Sequence, residues 1–191
     1  MANFGAKYPC FAPFKGVEPT NALPKYDAKV VVGKLVSANL TVNLASGELY
    51  ADDALTEQLS EFASGTIAME TDDMLDDVAA VVYGATAAEK KVTYNKGDTA
   101  PYGGLGYFKT LMRDGAKYYK GYFYPKVRAA LGNDNAQTRG SSITFGTSNT
   151  TFTVFAANTG DWRITETFDS EAEARAWVDE QLAPEAVTPG S

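Results

Sequence analysis

The dipeptide Asp114-Gly115 constrains the fold of this 191-residue chain more than any other pair. Asp-Gly is a preferred type I′ turn, and here it joins two runs of strand-forming residues, 107–113 and 116–124. A two-residue turn fixes the register. Arg113 then faces Ala116, Leu111 faces Tyr118 and Tyr107 faces Tyr122, while the other side pairs Thr110 with Tyr119 and Phe108 with Gly121. Large aromatic side chains therefore occupy both faces, unlike an antiparallel ribbon with one wet side. The expectation is a ribbon covered twice, by the domain's own core and by another subunit.

The remainder reads as β-rich. Residues 29–36 are β-branched, and Val36, Ala38, Leu40, Val42 and Leu44 alternate with polar residues until Ala45-Ser46-Gly47. Strands are also expected at 66–70, 143–145, 151–155 and 162–168, with a polar loop around Asn133-Asp134-Asn135. Residues 48–65 show no clean apolar period and carry five acids, the pattern of a long functional loop. Asp72 or Asp73 can cap a helix with an apolar stripe of Leu75, Val78 and Val82, stopped by Gly84. Ser170-Glu171-Ala172-Glu173 is a capping box opening a second helix. Its inward residues are expected to be Ala172, Ala176, Trp177 and Leu182, with Pro184 as terminator. About eight strands and two helices make a β-rich α+β domain, a sandwich or a small barrel. The length fits one domain, 29–183, between an extended N-terminal arm, 1–28, and a loose tail, 184–191.

The arm carries Pro9, Pro13, Pro19 and Pro24, too many for a helix and out of place in a central strand. Tyr8, Phe11 and Phe14 lie between them and need a surface to pack on, the domain's own or, the favoured reading, a neighbour's.

Charge is segregated along the chain. Eleven acids and no Lys or Arg lie between Lys34 and Lys90, whereas Lys90 to Arg128 holds nine bases against two acids. Such polarity suits a subunit that binds copies of itself head to tail; the competing reading is that the charge runs are solvated faces whose clustering folding undoes.

Several chemistries are disfavoured. The chain has no histidine, which removes the commonest general base and metal ligand, and its single cysteine, Cys10, has no histidine to activate it. A net charge of −7 opposes tight non-specific binding of nucleic acid. The acid pairs Asp52-Asp53, Asp72-Asp73 and Asp76-Asp77 lack the cross-cleft spacing of glycosidases, and Asp52, Asp53 and Glu57 lack the calcium-loop pattern. Gly103-Gly104-Leu105-Gly106 precedes a strand rather than a helix, so close backbone packing explains it better than phosphate binding. The basic and aromatic residues of 117–126 look like a stacking platform for single strands, but strand alternation divides them between two faces. No enzyme, cofactor or metal is expected. The opening Met1-Ala2-Asn3-Phe4-Gly5 lacks a signal-peptide core and no run approaches a membrane span, so a soluble, cytosol-like setting is expected.

Taken in order, several segments resemble the major tail (tail tube) proteins of long-tailed, non-contractile bacteriophages, of the phi13 type. They are Lys7-Tyr8-Pro9 with Phe11-Ala12-Pro13, the block from Glu48 through Tyr50, Asp52, Asp53 and Leu55 with Phe62 and Gly65, the run from Ala100 to Tyr107, residues 122–127, and Gly160-Asp161-Trp162 leading to 168–177. The resemblance implies a β-sandwich or barrel-like core with one flanking helix, a long inter-strand loop and a C-terminal helix, and no added immunoglobulin-like domain. It implies a structural virion protein forming rings, expected to be hexameric, that stack into a conduit for genome ejection. The implied partners are copies of itself and tape-measure, tail-terminator and tail-tip proteins. Viral DNA passes without specific binding, and no membrane is involved. The implied location is the virion tail, and the host cytoplasm during assembly. In such proteins a loop after the second strand reaches the next ring; here that is 46–65. Tyr8, Phe11, Phe14, Tyr50, Leu55 and Phe62 are the expected apolar contacts, with Asp52, Asp53, Glu57 and Glu61 meeting Lys109, Arg113, Lys117 and Lys120 of a neighbour. The other readings are a monomeric β-barrel module for a small molecule or carbohydrate, and the tube of a related injection device.

Overall fold

A computed structural model of the chain describes residues 2–51, 54–89, 91–131 and 146–184. Within them the order is β1 (Ala2–Pro13), β2 (Val30–Val31), β3 (Leu35–Ala51), β4 (Ala54–Thr71), α1 (Asp76–Tyr83), β5 (Thr86–Ala88), β6 (Lys91–Thr93), β7 (Tyr102–Arg113), β8 (Ala116–Ala130), β9 (Ser148–Phe155), β10 (Ile164–Phe168) and α2 (Glu171–Gln181). The fold is β-rich α+β and sandwich-like, and its main sheet does not close into a barrel. That sheet is antiparallel in the order β2-β1-β7-β8-β9-β4-β3, and β5 and β6 form a separate hairpin. β8 serves two neighbours along one edge: Tyr119–Phe123 pair with β10, and Lys126–Ala130 pair with β9.

The β7–β8 hairpin has the register its turn dictates, with Asp114 and Gly115 both at positive φ and Tyr107 opposite Tyr122. Alternation sends its side chains to two apolar layers. Phe11, Leu105, Tyr107, Tyr124 and Val127 pack with Ile67, Met69, Phe152 and Val154 from β4 and β9, under Val78 and Val82 of α1. On the reverse face Cys10, Ala12, Phe108 and Phe123 pack against Ala174, Trp177, Val178 and Leu182 at α2. The second cover is therefore the chain's own C-terminal helix, not another subunit.

Glycines let that helix come close. A Cβ on Gly121 would lie 2.6 Å from Trp177, one on Gly106 2.9 Å from Val178, and one on Gly104 2.8 Å from both Leu182 and Tyr26. Side-chain-free positions on β7 and β8 thus form the seat of α2, the close packing expected of the glycine run. The capping box of α2 is present, with Ser170 Oγ accepting from Glu173 N–H and Glu173 accepting from Ser170 N–H. Ala172 and Ala176 are exposed, whereas Ala174, Trp177, Val178 and Leu182 face inward.

Four expectations are corrected. First, residues 2–13 of the arm are a strand inside the sheet, between β2 and β7, where Cys10, Phe11 and Ala12 are fully buried. Pro9 is tolerated because β1 bulges between Lys7 and Cys10, and its carbonyl still accepts from Val32 N–H. Second, 48–65 is not a loop: β3 and β4 continue as a paired ribbon to Ala51 and Ala54. Third, α1 begins later than expected. Leu75 is its N-cap and is exposed, while Asp72 accepts from the N–H groups of Lys34 and Asp73 instead. Gly84 does end the helix in the left-handed conformation. Fourth, β1 and the short hairpin strands β5 and β6 raise the strands of the described residues to ten, eight of which form the main sheet. Asn133-Asp134-Asn135, the strand expected at 143–145 and the tail beyond Pro184 lie outside the described residues.

Candidate assembly surfaces

Ribbon β3–β4 leaves the sheet where β9 ends its pairing at Gly65. Residues 41–48 and 57–61 are exposed on both sides of the ribbon, Leu44 at 60% and Leu59 at 62%. Its hydrogen-bond ladder, not a core, shapes it. The outer edge of β3 pairs with no strand among the described residues. Residues 35–51 contain no Lys, Arg or Pro, the residues that ordinarily block edge-to-edge pairing. Glu57 and Glu61 stand exposed on β4 with no ion-pair partner among the described residues. Tyr50 and Leu55 are opposite each other near the tip, and Asp52 and Asp53 lie outside the described residues.

At the base, the Phe62 ring stacks on Trp162 at 4.3 Å and 5°. Arg163 lies 4.6 Å from the centre of the same indole. Phe62 thus joins the ribbon to the chain entering β10 instead of presenting itself to a neighbour. Trp162, which the sequence offers as the end of Gly160-Asp161-Trp162 and the start of an expected strand, is a packing partner not expected among the contact residues.

The basic residues gather on β7 and β8. Lys109 and Lys120 are directly opposite in the ladder, an arrangement that is unfavourable for like charges. Both lie over the ring of Tyr122, at 4.9 and 5.7 Å from its centre. Arg113 and Lys117 are exposed beside the turn. None of the four has an acidic partner among the described residues. Among the described residues, Glu57 and Glu61 therefore make no ion pair with Lys109, Arg113, Lys117 or Lys120 of their own chain.

The three arm aromatics serve their own domain. Phe11 is fully buried, 5.8 Å from Phe152. Phe14 packs on Tyr26 and Tyr102. Tyr8 donates to Asp179 Oδ1 at 2.8 Å and carries Arg175 over its ring at 4.2 Å, while Lys29 pairs with the same carboxylate. Burial and the Asp179 hydrogen bond push the Tyr8 phenol well above its ordinary range. Burial pushes the Cys10 thiol up to about 11, the opposite of what a nucleophile needs.

Among the described residues no group of three or more acids, cysteines or histidines converges to hold a metal. A cavity of about 160 Å³ lies between Leu23, Tyr26, Phe123 and Gln181, small beside ordinary ligand sites of roughly 300–1,000 Å³. No helix among the described residues is long and apolar enough to cross a membrane. No protein-family model matches the chain, and no curated protein matches it.

Proposed function

We propose that this chain is a structural subunit that assembles with copies of itself into rings, expected to be hexameric, which stack into the tail tube of a long-tailed bacteriophage and conduct its genome. One observation carries the reading: a two-stranded acidic ribbon whose residues 41–48 and 57–61 are exposed and whose outer edge pairs with no strand among the described residues. In a lone molecule such an edge is an aggregation hazard; in an assembly it is an interface. The basic ladder of Lys109, Arg113, Lys117 and Lys120 supplies the complementary charge, and opposed Lys109 and Lys120 gain most from an incoming carboxylate. The resemblance to tail tube proteins supports the same reading. The net charge of −7 suits a channel that must release phosphates. The subunit does no covalent chemistry in this reading, and its further partners are the tape-measure, tail-terminator and tail-tip proteins.

Negative-stain electron microscopy across protein concentration and salt tests the proposal. Stacked rings or tubes are expected. Compact monomers under every condition, with tail initiation and length-setting partners added, would overturn it. The charge pairing has its own test. Glu57→Lys/Glu61→Lys combined with Asp52→Lys/Asp53→Lys should abolish tube growth, and unchanged assembly with unchanged salt dependence rules the pairing out.

A further inference from the structure

Strand β1 is two strands in one, divided at Tyr8. Its inner half, Pro9 to Pro13, is held on both edges, by β7 and by Cys10 and Phe11 pairing with β2, and it contains three fully buried residues. Its outer half, Ala2 to Lys7, is held by β7, where Phe4 opposes Thr110, Ala6 opposes Lys109 and Lys7 opposes Phe108, and no strand among the described residues pairs with its other edge. Burial there is slight: Phe4 is 47% exposed, and Lys7 meets Glu171 in an exposed ion pair of the kind that contributes little.

The junction is under strain. The ladder slips twice, between Phe4 and Ala6 and between Lys7 and Cys10. Gly5 and Tyr8 mark the two slips with φ of 66° and 60°. Glycine adopts that conformation freely, but a bulky L-residue such as tyrosine adopts it only when its surroundings impose it. Straightening the chain at Tyr8 would relieve the strain and lift residues 2–7 away, leaving unpaired those N–H and C=O groups of β7 between Phe108 and Met112 that point away from β8. The segment that refills this edge best is the same segment of another copy. Closed and exchanged forms then make identical ladder contacts and differ mainly at the hinge.

We propose that Ala2 to Lys7 exchanges between copies of this chain, hinged at Tyr8, so that the outer strand of one subunit completes β7 of another. The inference rests on the β1–β7 register and the hinge, and it holds or fails independently of tube formation.

The test places Phe4→Cys and Thr110→Cys in separate chains, mixes them at the highest soluble concentration, oxidises, and maps the bridged peptides by mass spectrometry. The expected result is a covalent heterodimer joined from position 4 to position 110, its yield rising with concentration. The double variant, with both substitutions in one chain and oxidised when dilute, should close internally and lose all interchain bridging. Internal closure of the double variant with no heterodimer from the mixed single variants overturns the proposal, whether or not tubes form. Ala6→Cys with Lys109→Cys is the second pair, should the buried Thr110 site not accept its substitution. Tyr8→Asn and Tyr8→Phe both lose the hydrogen bond to Asp179, but asparagine tolerates the positive φ. The asparagine variant should therefore give less heterodimer than the phenylalanine variant; equal yields would remove the strained hinge from the proposal.

Discussion

Phe62 and Trp162 lie face to face, 4.3 Å apart, although 100 positions separate them in the chain. Phe62 sits opposite Leu44, where the ribbon leaves the body of the protein, so the stack braces the ribbon at its root. Phe62→Ala should destabilise the fold by about 2 kcal/mol, less than the ~3–5 kcal/mol of a fully buried phenylalanine because both rings are partly exposed. A double-mutant cycle with Trp162→Ala should return a coupling of about 1 kcal/mol. Urea denaturation of the four proteins measures both.

The seat of α2 predicts unequal glycines. Gly121→Ala places a methyl group 2.6 Å from the Trp177 ring and should cost roughly 1–3 kcal/mol, as over-packing does. Gly47→Ala meets nothing within 4 Å and should be within about 0.5 kcal/mol of the parent. Thermal unfolding followed by circular dichroism separates the two.

Two ion pairs should differ in the same way. Glu18 and Lys126 pair at 2.6 Å with side chains only 10% and 20% exposed, and Glu18 also accepts from Asn158 N–H. Glu18→Ala strands the lysine and should cost about 3 kcal/mol. Glu171→Ala breaks the exposed pair with Lys7 and should cost at most about 1 kcal/mol. Equal losses in chemical denaturation would contradict this ranking.

The alkaline limb of the stability curve follows from buried acids. Burial raises Cys10 from 9.0 to about 11 and lifts the phenols of Tyr26, Tyr107 and Tyr124 above their ordinary 10.0. The folded chain therefore retains protons that the unfolded chain releases, so stability is intact below pH 9 and falls as pH rises through 9 to 11 and beyond. Denaturation midpoints should decline across that interval, and Cys10 should react with thiol reagents at pH 8 only after unfolding.

What the sequence discloses tracks how much of each segment is buried. The β7–β8 register is legible because a two-residue turn leaves one alignment, and every expected pair is found. Gly84 and the Ser170 box are legible because they are local chemistry. The outer ribbon, 48–61, leaves no periodic trace, because apolar alternation ordinarily records a buried face and 57–61 have none, whereas Val42 and Leu44 alternate although both are exposed. Pro9 argues against a strand until the bulge between Lys7 and Cys10 provides for its missing donor, and Pro13 is admitted as the last residue of β1. The second covering of the hairpin is readable as a need, but not as its source: α2 lies some fifty residues downstream of Gly121. Among the expected contact residues, exposure separates Glu57, Glu61, Arg113 and Lys117 from Phe11, which the core claims. That distinction is three-dimensional and has no signature in spacing.

The divided pairing of β8 has a mechanical consequence. Pull applied at the ribbon passes along the backbone ladders through β4 and then β9, and enters β8 over Lys126–Ala130. Pull applied through β10 and its neighbouring helix enters the same strand over Tyr119–Phe123. Both load paths converge on β8 at separate stations and run onward to β7 along a ladder that borders both. Tension along the strands meets these antiparallel ladders in shear, with many hydrogen bonds sharing it at once rather than opening one by one. One long strand thus acts as the tie bar of the subunit, and the stiffness of anything built from such subunits has its origin there.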